Sequence, residues 1–205
     1  MTGRGRFITF EGIDGAGKST QIAVVANALR DRALPVVITR EPGGTAVGEA
    51  LREVILHQPM GIGTETLLMF AARAEHLERV IRPALAAGTW VLCDRFTDAT
   101  YAYQSGGRGM SAERIGELEQ WVHPDLQPDL TLLIDVPPDV AAQRLARARS
   151  ADRFEAEQVD FFARVRNAYL DRARSEPQRF IVIDGTQPAE VIGARLGELM
   201  QRWNG

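Results

Sequence analysis

The chain has 205 residues, 45% of them hydrophobic and 25% charged, which suffices for one folded domain with a substantial core and is ordinary for a globular protein. Its formal net charge of −3 excludes a global attraction to nucleic acid or to an anionic membrane, so any phosphate binding has to come from local clusters. A single cysteine, Cys93, excludes an internal disulfide, and no run of about 18 apolar residues is present to span a membrane.

The opening Met-Thr-Gly-Arg-Gly-Arg leads into a short apolar run that soon meets Glu11 and Gly12, unlike a signal peptide, so a cytoplasmic location is expected. Short runs rich in Val, Ile and Leu then alternate with longer amphipathic segments, the pattern of a parallel sheet covered by helices on both faces. Strands are expected over 6–10, 36–39, 89–93, 130–134 and 180–183. Helices are expected over 18–32, 47–57, 64–86, 112–122, 138–148, 156–174 and 188–202, with loops at 41–45, 58–63, 104–110 and 149–155. No repeat or linker interrupts this series, so one domain covers 1–205. Three strands end in Asp (Asp94, Asp135, Asp184) and the first ends at Glu11, and ligands of an open parallel sheet bind beyond the carboxyl ends of its strands.

Between the first strand and the first helix lies Gly12-Ile13-Asp14-Gly15-Ala16-Gly17-Lys18-Ser19, the GxxxxGKS spacing in the context that a phosphate loop requires. The glycines let backbone N–H groups curl around phosphate oxygens. Lys18 can reach the β- and γ-phosphates, and the Ser19 hydroxyl can ligate Mg²⁺. Of 24 basic residues Lys18 is the one lysine, a placement that chance gives about one time in 24. The common guanine-reading Asn-Lys-x-Asp motif needs a second lysine, so ATP is the expected nucleotide. Asp14, inside the loop, is an awkward neighbour for ATP but a useful acceptor for a sugar hydroxyl. Arg144, Arg147 and Arg149 lie where no carboxylate occurs between Asp139 and Asp152, and with Arg153 they form a cluster that calls for an anion and reads as a lid at about 144–156. His57, His76 and His123 are not spaced as a metal site and are expected to be surface or structural, with Cys93 in a buried strand.

Four ordered motifs carry a resemblance: 10–20 (FEGIDGAGKST), 39–45 (TREPGGT), Asp94-Arg95-Phe96, and 102–109 (AYQSGGRG), followed by Pro128-Asp129-Leu130-Thr131. Together they resemble bacterial thymidylate kinase over almost the whole chain. The resemblance implies a P-loop kinase three-layer fold with sheet order 2-3-1-4-5, a homodimer packed through helices, and transfer of the γ-phosphoryl group of ATP to dTMP. It implies that Gly12 to Thr20, with Arg144 and Arg147, contact the donor. It also implies that Arg95 bridges the phosphates of donor and acceptor, that Asp94 helps hold Mg²⁺ with Ser19, and that Arg40 and Arg52 serve the dTMP phosphate. Asp14 is similar to the residue that meets the sugar 3′-hydroxyl. With no arginine at loop positions 13–16, the chain is similar to the subgroup whose catalytic arginine sits in the lid, here Arg149 or Arg153. The segment 69–73 resembles the thymine pocket, in which an aromatic ring stacks on the base and an arginine bonds its O4, with Thr100 and Gln104 completing the polar edge. Many relatives space the ring and the arginine by four residues; Phe70 and Arg73 are three apart, so Phe70 is the expected stacker while alignment on Arg73 would put Met69 there.

Overall fold

β1 (Phe7–Glu11), β2 (Val36–Arg40), β3 (Trp90–Asp94), β4 (Leu130–Asp135) and β5 (Phe180–Asp184) form one parallel sheet in the order β2-β3-β1-β4-β5. These elements belong to a computed structural model that describes residues 3–148 and 155–203. Each strand matches its expected span closely; the inner strands β1, β3 and β4, buried on both faces, read as continuous apolar runs. β1 is central and buried at every residue. Alternate side chains leave it on opposite faces. Ile8 and Phe10 join a core with Leu92, Leu132 and the inner side of the first helix, whereas Phe7 packs with Val91, Cys93 and Phe96 on the other face. Parallel register levels the carboxyl ends, with Phe10 opposite Asp94, Arg40 opposite Asp94, and Asp135 opposite Asp184.

The helices are α1 (Lys18–Asp31), α2 (Ala46–His57), α3 (Ile62–His76), α4 (Arg82–Ala86), α5 (Thr97–Thr100), α6 (Ala112–Val122), α7 (Pro138–Ala148), α8 (Glu155–Ser175) and α9 (Ala189–Arg202). Thr45 caps α2 by accepting from the Gly48 N–H at 2.9 Å. The long helix expected over 64–86 is α3, a π-helical turn at Leu77–Ile81, and α4. Pro83 explains the interruption: it has no N–H to give, and its ring would press on the carbonyl one ordinary turn back, so the wider turn just before it relieves the clash.

The loop expected at 104–110 needs correction: α5 runs into a π-helical segment, Tyr101–Gly107, so most of this stretch is helical. Its Thr, Tyr and Gly content has poor helix propensity, and tertiary packing overrides it. A Cβ at Gly106 would lie 2.4 Å from the Ala168 Cβ, and one at Gly107 would lie 2.5 Å from the Phe161 ring, so both glycines are what lets this segment approach α8. Among the described residues no helix is long and apolar enough to cross a membrane.

Candidate active site

The turn after β1 is built on glycine. Gly12, Gly15 and Gly17 have φ of 133°, 83° and 96°, and a Cβ on Gly12 would sit 2.4 Å from the Ile134 carbonyl oxygen. Gly17 stands at the N-cap of α1 with no side-chain hydrogen bond to the helix, which leaves the first N–H groups free for an anion. Ser19 and Thr20 follow, both exposed.

Lys18 folds back over this loop. Its Nζ donates to the carbonyls of Gly12 at 3.2 Å and Ile13 at 3.4 Å, and lies 3.9 Å from Asp94 Oδ1. Burial, with the nearby Arg95 charge, lowers its pKa to about 8 against the raising effect of Asp94, Asp14 and Glu11. The same Asp94 Oδ1 is buried and accepts no hydrogen bond. An unpaired buried oxygen is costly, so it marks a place for a cation. The other strand-terminal acids are occupied: Asp135 by Arg166 at 2.6 and 2.8 Å, and Asp184 by Thr186 and Gln187.

Arg95 follows with φ of 71°, a left-handed conformation that costs a non-glycine residue about 1–2 kcal/mol. Its surroundings over-determine it. The backbone N–H donates to Phe10 O at 3.0 Å, while the guanidinium reaches Tyr169 Oη at 3.0 Å, Tyr103 Oη at 2.9 Å and Asp14 Oδ1 at 2.8 Å. Burial opposes the charge on Asp14, but Arg95 and Lys18 outweigh it and hold the carboxyl below its usual range.

Under Arg95 lies Glu11, fully buried, accepting from the Phe96 N–H at 2.7 Å and from Tyr169 Oη at 2.8 Å. Burial, aided by the Asp98 charge, raises its pKa to about 8 against the lowering effect of Arg95. An unfolded glutamate releases its proton near 4.5, so between that pH and about 8 the folded chain binds more protons at this site. The stability this group contributes is complete below the lower value and is lost as pH rises through the upper one. Accordingly, the unfolding free energy of Glu11→Gln minus that of the unchanged protein should increase between pH 4.5 and about 8; denaturant melts across this range would refute it by giving a flat difference.

A second set of groups faces Asp14 and Arg95 across a cavity of about 300 Å³, at the small end for small-molecule sites. Its wall includes Arg52, Glu65, Met69, Arg73, Thr100 and Gln104. Arg73 is buried and held firmly: Nε donates to Glu41 at 2.7 Å and one terminal nitrogen to Thr100 Oγ1 at 3.0 Å. Glu41 is held in turn by His76, whose other ring nitrogen meets Thr39 Oγ1 at 2.7 Å. The remaining Arg73 nitrogen, Nη1, is buried with no partner. A desolvated donor without an acceptor, at the wall of a cavity, is the chemical signature of a site shaped for a ligand oxygen.

The structure places Phe70 away from this cavity. This residue is 2% exposed and absent from the cavity wall; the Arg73 guanidinium rests on its ring at 4.7 Å, while Met69 lines the cavity. Residues four apart on a helix share a face most closely, so Glu65, Met69 and Arg73 form one stripe and Phe70 turns into the interior. Arg52 donates to Pro42 O at 3.0 Å and lines the cavity, whereas Arg40 is exposed, pairs with Glu49 at 2.7 Å and stands outside it. Arg144 ties α7 to the phosphate loop through Ala16 O at 3.4 Å and to Gly185 O at 2.8 Å. Arg149 and Arg153 lie outside the described residues, and the side chain of Arg147 does too.

Sequence reasoning gave no role to Tyr103, Tyr169 or Glu41. Tyr103 and Glu41 stand inside the segments 102–109 and 39–45, but nothing near Tyr169 in the chain marks it as a partner of Arg95.

Comparison with known proteins identifies the family. A family profile described as thymidylate kinase matches residues 10–195. A thymidylate kinase from Bordetella pertussis is 64% identical over 96% of this chain and 94% of its own, and one from Methylobacillus flagellatus is 58% identical over 98% of each. The crystal structure of thymidylate kinase from Ehrlichia chaffeensis superposes with a TM-score of 0.80 at 34% identity, covering 97% of this chain and 99% of the other. With its phosphate loop, its sheet order and these relatives along nearly its whole length, the chain belongs to the thymidylate kinase family.

Proposed function

We propose that this protein transfers the γ-phosphoryl group of ATP to dTMP, giving dTDP and ADP on the route to dTTP, in the cytoplasm. The observation that carries it is the single cavity joining Asp14 and Arg95 of the phosphate-loop side to the unpartnered donor of Arg73. Phosphoryl transfer asks a protein mainly to align donor and acceptor and to neutralise charge on the transferring oxygens. In this reading the loop from Gly12 to Ser19 holds the β- and γ-phosphates, with Lys18 on them. Arg95 spans from donor to acceptor, Asp14 takes the sugar 3′-hydroxyl, and Arg52 serves the acceptor phosphate. Arg40 can join it once its exposed pair with Glu49 opens. Met69 covers the base while Arg73 reaches O4.

Asp94, with its unpartnered oxygen, and the exposed Ser19 hydroxyl fit Mg²⁺, which is commonly held by one or two protein oxygens besides phosphate. The ion supplies charge neutralisation between the phosphates when bound. One domain with a lid at about 144–156 is the organisation we infer, and Arg149 or Arg153 would bring the mobile catalytic charge. A helical homodimer is supported by an apolar groove between α3 and α6, where Trp121 is 79% and Leu67 56% exposed.

Coupled turnover assays with dTMP, dUMP, dCMP, AMP and GMP test the acceptor. The highest kcat/KM is expected for dTMP; a clear preference for any other monophosphate would overturn the assignment.

A further inference from the structure

Glu65 is a buried carboxylate at the far end of the base cavity, two helical turns before Arg73, and it carries no role in the mechanism above. One of its oxygens accepts from Gln104 Nε2 at 2.8 Å and the other pairs with Arg108. Gln104 is itself 3% exposed and lines the same cavity.

An amide side chain has one donor end and one acceptor end, and either can face a ligand. An ionised carboxylate only accepts. With Glu65 beside it, Gln104 has to turn its nitrogen towards that carboxylate, and its carbonyl oxygen is then left for the cavity. At the other end, Arg73 can only donate. The wall thus presents a donor from Arg73 and an acceptor from Gln104. Thymine offers the complement, an O4 acceptor next to an N3–H donor; cytosine offers the inverse, a 4-amino donor next to an N3 acceptor. We propose that Glu65 is a positioning residue that locks the Gln104 amide with its oxygen towards the base, and so sets the preference for thymine over cytosine. This inference rests on the dTMP-kinase reading.

Three acceptors and two variants test it. 5-Methyl-dCMP keeps the sugar, phosphate and methyl group of dTMP and inverts only the base edge, and dUMP keeps the edge while lacking the methyl. Glu65→Gln is isosteric, yet it can donate to Gln104 and let that amide turn over. The ratio of kcat/KM for dTMP over 5-methyl-dCMP should fall about tenfold or more in this variant, mainly through KM, with the ratio for dTMP over dUMP unchanged. The exchange Glu65→Gln with Gln104→Glu returns an acceptor to the base side, so it should recover part of the lost ratio; should Glu65→Gln alone fail to fold, the exchange is compared directly with the unchanged protein and is expected to retain a preference for dTMP. An unchanged ratio in Glu65→Gln, an equal loss with all three acceptors, or no preference for dTMP in the exchange would each overturn the proposal. Failure of the unchanged protein to prefer dTMP over the other monophosphates would instead sink the underlying function, so the two failures are distinguishable.

Discussion

Lys18→Ala is expected to lower kcat with ATP and dTMP by roughly a thousandfold, since removing one preorganised charge contact to a developing transition state costs about two to three orders of magnitude. The lysine is held over the loop that follows β1. It is 7% exposed, bonded to two loop carbonyls and 3.9 Å from Asp94. An arginine there is not an equivalent replacement, because a broad guanidinium does not fit a place where a compact ammonium is surrounded by Gly12, Ile13 and Asp94. Lys18→Arg is therefore expected to lose most of the same activity. Steady-state kinetics with circular dichroism as a folding control measures this; near-normal kcat in either variant would contradict the role given to the lysine.

Arg95→Ala is expected to cost a similar or larger factor, roughly a thousandfold in kcat/KM, because one guanidinium that neutralises the transferring phosphoryl group is worth about three to five orders of magnitude in related chemistry. It joins Asp14, Tyr103 and Tyr169 within 3.0 Å, so a lysine, with one point of charge, cannot reproduce it. The backbone gives a second signature. At φ of 71° a glycine is relaxed whereas an alanine is strained, so Arg95→Gly should be more stable than Arg95→Ala by about 1 kcal/mol while both are inactive. Stability and activity then move apart at one position, as expected where strain is kept for function. Thermal melts of the pair, showing the alanine variant equal or more stable, would mean that the left-handed backbone at 95 is not strained.

What the sequence made legible follows from how local each signal is. The five strands are short apolar runs, fully buried along β1 and nearly so in β3 and β4, and the phosphate loop is a contiguous glycine-rich stretch, so both could be read directly. Sheet order came with the resemblance and not from the pattern of residues. The helical segment from Thr97 to Gly107 was hidden because Gly106 and Gly107 speak for a loop until their contacts with Ala168 and Phe161 are known. Phe70 was preferred over Met69 because rings stack on bases; only the helix phase, which turns Glu65, Met69 and Arg73 to one side, shows which residue faces the cavity. Glu41, His76 and Tyr169 act through partners more than thirty residues away in the chain, and no local spacing announces such contacts. Glu65 belongs to the same class.

These contacts also hold Arg73 in place at the cavity wall. Arg73 sits between Glu41, Thr100 and the Phe70 ring, so its free nitrogen keeps one direction. Little ordering is left for the ligand to impose, and preorganisation of this kind favours affinity.

A structure of the protein with dTMP and a non-hydrolysable ATP analogue tests the central claim most directly. The account predicts the triphosphate in the loop from Gly12 to Ser19, thymine O4 about 2.7–3.2 Å from Arg73 Nη1, and the sugar 3′-hydroxyl facing Asp14. A dTMP bound elsewhere, or one whose base makes no contact with Arg73, would contradict it.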